Sequence, residues 1–215
     1  MNTAALREQI QRANEHEAAT GHLHKLLEQQ LPHLHRAIDV PDSEGGAALW
    51  RFVSAYIEEV PELLDAASKV ACEAGITSQI QPVLKIAEDY FLAPPSIMAG
   101  HEGLDSLLDE AYLAHRLVEE VNDLYIHHLG QPLIPLDMTV ANLIAHQLIG
   151  EPFANQLDEA VHHSVDTLLN EDSFAEESVE AYRETLTSPE TGEAWKKWPC
   201  MSRRLGIGLE LGSER

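Results

Sequence analysis

Residues 102–129 read EGLDSLLDEAYLAHRLVEEVNDLYIHHL, and the spacing inside this stretch decides the fold class. Leu104, Leu108, Ala111, His115, Val118, Asn122, Tyr125 and Leu129 recur at alternating steps of four and three, which lines one face of an α-helix. Gly130 follows as a C-cap. The helix is apolar on more than one side, which predicts association, with a homodimer the expected form for a bundle of this size.

The same periodicity recurs on both sides of this stretch, and no segment shows the strict alternation of a half-buried strand. About seven helices are expected, packed mostly as antiparallel neighbours in an all-α bundle. The first spans about Asn2 to Ile38, with Gly21 and Pro32 as points of breakage. A second spans about Ala47 to Ala74 with a kink at Pro61, which cannot donate to the carbonyl of Ile57. Others cover about Ser78 to Leu92, Met138 to Ile149 and Pro152 to Leu169, with Asp137 an N-cap for Met138–Ile149 and Pro152 at the first helical position of its own. The last starts at Ser173, whose partner three residues on is Glu176, a capping-box pattern. Short loops and the lack of repeats predict one domain over 1–187, with 188–215 a loosely docked tail. That tail holds the one basic cluster, Trp195-Lys-Lys-Trp198 and Arg203-Arg204.

Composition narrows the function. The 215 residues carry 14 Lys+Arg against 36 Asp+Glu, a formal charge of −22, and this repels phosphate backbones and anionic lipid. Nucleic acid and membrane partners are therefore not expected. The charged N-terminal stretch lacks a signal peptide's apolar run, so a cytoplasmic location is expected. Cys72 and Cys200 stand far apart in no CxxC or Cys/His grouping, which fits a reducing compartment and argues against a thiolate metal site. Phosphate-loop, dinucleotide, HExxH and GxSxG signatures are absent.

The exceptions to the apolar pattern carry the chemistry. Histidine occurs 12 times. On the first helix the stripe Leu6, Ile10, Ala13, Glu17, Thr20, His24, Leu27 puts Glu17 and His24 two turns apart on the inward face. On the helix over 102–129, His115 and Asn122 occupy inward positions with Glu119 beside them. Later, Glu159 and His162 form a Glu-x-x-His, with Asp158, His163 and His146 close in sequence. Buried ionisable groups are costly unless they pair or bind metal. Glu17, His24, His115, Glu119, Glu159 and His162 are accordingly the candidate ligands of an iron, manganese or zinc ion.

Di-iron four-helix proteins use two Glu-x-x-His motifs, and this chain has one. The grouping of His115, Glu119 and Asn122 with Glu17 and His24 resembles in style the helical oxidases of the haem-oxygenase-like class, though helix order and loop spacing differ, and no family is assigned. The same side chains can equally be core histidines bonded to neighbouring carboxylates. Two other functions stand beside the metal reading. One is an acidic interaction module of inhibitor, adaptor or immunity type that engages a basic partner. The other is a helical sensor that binds a small molecule between its helices.

Overall fold

The computed structural model of the chain describes residues 1–41, 44–94, 103–169, 171–174, 177–186, 202 and 207–209. The fold is all-α. Helices α1 (Thr3–Thr20), α2 (His22–Gln30), α3 (Gly45–Glu58), α4 (Val60–Glu73), α5 (Thr77–Leu92), α6 (Leu104–Leu129), α7 (Thr139–Ile149), α8 (Phe153–Leu168), α9 (Glu171–Phe174) and α10 (Glu177–Leu186) follow one another. A 3-10 turn over Leu31–His33 follows α2. Two two-residue strands, β1 (Ile38–Asp39) and β2 (Gly208–Leu209), pair antiparallel, with Ile38 opposite Leu209 and Asp39 opposite Gly208.

α6 is the axis of the bundle. It packs on α5, α8, α7, α1 and α3, and its buried residues include Leu107, Leu113, Leu117 and Val121 as well as the stripe from Leu104 to Tyr125. Other helices of the same chain thus cover much of the apolar surface beyond that stripe, while Ile126 is left exposed. Gly130 ends α6 with φ 77°, the left-handed geometry that glycine adopts at no steric cost. Inward Asn122 serves the fold directly. Its amide donates to the carbonyl of Ile134 at 3.1 Å and accepts the N–H of Ile134 at 2.9 Å, which pins the α6–α7 connection against the axis.

More helices form than the seven expected, because each of the two long N-terminal stretches is divided and two helices, α9 and α10, stand where one from Ser173 was expected. Gly21, at φ 59°, closes α1 by donating to the carbonyl of Glu17 at 2.7 Å, and α2 starts at the next residue. At Pro61 the chain does not continue as one kinked helix. α3 ends at Glu58 and α4 starts at Val60, with the proline in the first turn, where its fixed φ and missing N–H cost nothing. The N-cap of α7 is Met138 and not Asp137, which stands one position earlier with its Oδ1 accepting the N–H of Thr139 at 3.1 Å, while Pro152 stands one position ahead of α8 as its N-cap residue. Ser173 lies within α9, and Glu176 lies outside the described residues.

Of residues 188–215, those described are Ser202 and Ile207 to Leu209; Ser202 and Ile207 are buried, and Gly208–Leu209 forms β2. The cluster Trp195-Lys-Lys-Trp198 and Arg203-Arg204 lies outside the described residues. Among the described residues no helix is long and apolar enough to cross a membrane.

Candidate functional site

A second stripe runs along α6 beside the apolar one. Tyr112, Arg116, Glu119, Glu120 and Asp123 repeat at helical spacing and meet two one-turn pairs, Asn142 and His146 on α7 and Asp158 and His162 on α8. Because α7 and α8 both pack on α6, these side chains converge in one part-buried seam.

Arg116 is its centre. Its Nε donates to Asp158 Oδ1 at 2.9 Å, one terminal nitrogen donates to Glu119 Oε2 at 2.5 Å, and the other lies 3.7 Å from Glu120 Oε2. The guanidinium side chain is 16% exposed and the Glu119 carboxylate 13%, so these contacts are shielded from much of the solvent. Burial alone works against the charge of Arg116. The hydrogen bonds and fields of Asp158 and Glu119 outweigh it and hold the guanidinium more firmly protonated than usual.

From Glu119 the network continues inward. Glu119 Oε2 also accepts from Asn142 Nδ2 at 2.6 Å, and Asn142 Oδ1 accepts from the fully buried Tyr56 hydroxyl at 2.6 Å. Burial raises the pKa of Tyr56, and the fields of Tyr112 and Glu119 push the same way, so its phenol stays a donor.

From Asp158 the network runs outward. Tyr112 gives its one hydroxyl hydrogen to Asp158 Oδ1 at 2.8 Å, and its pKa too is raised by burial first and by the Asp158 contact second. The Tyr112 oxygen also lies 3.0 Å from His146 Nδ1. With the phenol hydrogen committed to Asp158, His146 Nδ1 must carry a proton and be the donor. Asp158 Oδ2, 3.4 Å from that nitrogen, supports the same tautomer. His146 Nε2 then faces Glu151, 3.8 Å away. At the other edge His162 Nδ1 meets Glu120 Oε1 at 3.2 Å. Asp123 completes the seam; burial raises its proton affinity, and the negative field of Glu119 adds to the shift.

The six side chains expected to share a metal are dispersed, each for a physical reason. Both oxygens of buried Glu17 are occupied, one by the N–H of Leu23 at 2.9 Å and the other by the N–H of His24 at 3.1 Å, so this carboxylate caps α2. His24 is inward by spacing only on an unbroken helix. The break at Gly21 turns it out, and its half-exposed ring sits 3.4 Å from Glu28.

His115 is fully buried, with Nε2 at 2.8 Å from the Tyr56 carbonyl and its ring centroid 4.1 Å from that of Tyr56, the two rings tilted by 31°. A carbonyl only accepts, so Nε2 is the donor, and the ring's lone pair is on Nδ1, which is buried without a hydrogen-bond partner. Glu119 is engaged by Arg116 and Asn142, Glu159 is exposed, and exposed His162 pairs with Glu120. Among the described residues no three His, Cys, Asp or Glu side chains are grouped to hold a metal ion.

Arg116, Tyr112, Asn142 and Tyr56 escape a search for inward carboxylates and imidazoles. The signal that points to the first three is the repeat 112, 116, 119, 123 on one helix and the pairs 142/146 and 158/162 on the next two; Tyr56, on α3, lies outside it. Comparison of the chain with family models, with curated proteins and with solved structures finds no match. The class defined by the geometry is therefore an all-α bundle that carries an arginine-centred carboxylate network at the α6–α7–α8 seam.

Proposed function

We propose that this chain is a binding protein whose acidic α6–α8 face receives a guanidinium or ammonium group of a basic protein partner. The observation that carries this reading is the charge imbalance at Arg116: one fixed cation stands among Glu119, Glu120, Asp123 and Asp158. Two of these carboxylates are held close by Arg116 itself. Asp123 is exposed and Glu120 part-exposed, and an incoming cation there would offset the negative field of Glu119 that, after burial, raises the proton affinity of Asp123. The formal charge of −22 supplies long-range steering toward such a partner, and the local seam supplies the place where it settles.

The test separates a site from general acidity. Binding of a fluorescein-labelled Arg-rich peptide is measured by anisotropy at 0.05 and 0.15 M salt. Glu120→Gln with Asp123→Asn is compared with Glu8→Gln and Glu15→Gln, two exposed residues of α1. The reading expects about a tenfold loss for the seam pair and under twofold for the α1 pair. Equal losses for both pairs would mean that the peptide reads only net charge, and the reading would fall.

A further inference from the structure

Three large apolar side chains are exposed among the described residues, Met1, Ile126 and Leu143, and two of them stand at the α6–α7–α8 seam. Ile126, 43% exposed, continues the stripe of Arg116, Glu119 and Asp123 by one more turn of α6. Leu143, 53% exposed, directly follows Asn142 on α7 and precedes His146 by one turn. Asn142 and His146 belong to the seam through their contacts with Glu119 and Tyr112.

Those contacts set the spacing. Because Asn142 meets Glu119, Leu143 stands near the level of Glu119 along α6, and Ile126 lies two turns further on, about 10 Å at a rise of roughly 1.5 Å per residue. Between the two levels come part-exposed Glu120 and exposed Asp123. The face therefore carries an apolar side chain at each end and carboxylates between them. An amphipathic helix presents side chains on one face at the same two-turn interval.

Charge selects the occupant. A second copy of this chain would set the acidic patch against itself, and the formal charge of −22 on each copy adds to the repulsion. A basic segment meets the carboxylates with its cations and covers the two apolar side chains with its own. We infer that the seam docks a basic amphipathic helix, with apolar residues two turns apart against Ile126 and Leu143 and an Arg or Lys between them at Glu120 and Asp123. This rests on the reading of the seam as a cation-binding face and adds to it the shape of the partner.

Anisotropy at 0.15 M salt with three labelled peptides of equal charge tests it. The first is a helix with two leucines two turns apart and arginines between. The second has the same composition, reordered so that the leucines fall on opposite faces, and the third replaces both leucines with serine. The first should bind about tenfold tighter than either of the others, the gain expected when two half-exposed apolar side chains leave water. Ile126→Ser with Leu143→Ser should abolish that advantage and leave the affinity for the serine peptide within about twofold. Glu120→Gln with Asp123→Asn should weaken all three peptides.

Equal affinity for the three peptides, or an advantage that survives Ile126→Ser with Leu143→Ser, overturns the inference; if Glu120→Gln with Asp123→Asn still weakens binding, the cation site stands without it. An advantage for the first peptide that ignores the carboxylate pair overturns both. A dimer in sedimentation that Ile126→Ser with Leu143→Ser makes monomeric gives the face to a second copy, which also overturns it. Should that variant fail to fold, methyl NMR of the unaltered protein replaces it: the first peptide should shift Ile126 and Leu143 and the serine peptide should not, and shifts confined to other methyls overturn the inference.

Discussion

The Glu17 carboxylate and the backbone N–H of His24 meet at 3.1 Å across the break between α1 and α2. Glu17 belongs to the helix that ends and His24 to the helix that begins. With the N–H of Leu23 held by its other oxygen, one side chain satisfies two of the donors that a helix start leaves open. Glu17→Ala should therefore lower stability by about 1–3 kcal/mol, combining a lost cap with a charged hydrogen bond. Urea unfolding monitored by circular dichroism measures it, and a loss below about 0.5 kcal/mol would show that water replaces the carboxylate.

Arg116 joins α6 to α8 through Asp158 and, by way of Glu119 and Asn142, to α7. Arg116→Met leaves Glu119 and Asp158 close together with no compensating cation and should cost about 2–4 kcal/mol. Adding Glu119→Gln and Asp158→Asn should return a large part of that loss. Arg116→Lys should fall between, because an ammonium cannot span both carboxylates as the guanidinium fork does. Denaturant midpoints for the four proteins decide it, and failure of the triple variant to recover would place the loss in packing and not in charge.

Glu110 sets the alkaline limb of stability. It is 2% exposed, with one contact to the Ser106 hydroxyl at 3.4 Å, and burial pushes its carboxyl up to about 8 from 4.5, with the charge of Asp109 adding to the shift. Between those values the folded protein keeps a proton that the unfolded chain has released. Stability is thus fully present below pH 4.5 and declines as pH rises through 8, at no more than about 1.4 kcal/mol per pH unit. Glu110→Gln should flatten that decline and raise the melting temperature at pH 8 more than at pH 5.

His115 sets the acid limb by the opposite sign. Burial holds it neutral and lowers its pKa from 6.5 to about 4, against the pull of the Tyr56 carbonyl. Below pH 6.5 the unfolded chain takes up a proton that the folded protein refuses, so stability is lost from about pH 6.5 down to about 4. His115→Gln retains a donor for the Tyr56 carbonyl and should remove about one proton's worth of this slope. Unfolding free energies measured from pH 4 to 7 report it, and an unchanged slope would assign the acid limb to another group.

The periodic part of the chain was readable as helix, because a stripe such as Leu104 to Tyr125 specifies helix and buried face together, but the division between α3 and α4 was not. His115, Asn122 and Glu17 were also correctly read as inward, and all three are buried. Their partners were not readable. Glu17 meets His24 through backbone and not through side chain because Gly21 reverses the register of everything after it. Arg116 directly follows a buried histidine and, as a long cation, reads in isolation as surface; only the approach of α7 and α8 turns it into the centre of a network. Asp158 and His162, a plausible pair on one helix, each find a stronger partner on α6 instead, Arg116 and Glu120.

The pairing of Ile38 with Leu209 and of Asp39 with Gly208 imposes an order on biogenesis. The helices from α1 to α8 can collapse as they are made, whereas β1 has no partner until 169 further positions have been translated. At about 5–20 residues per second, that wait is roughly 8 to 35 s. Through that interval the β1 pairing cannot form on the nascent chain, and it closes only after residues 208–209 have been made.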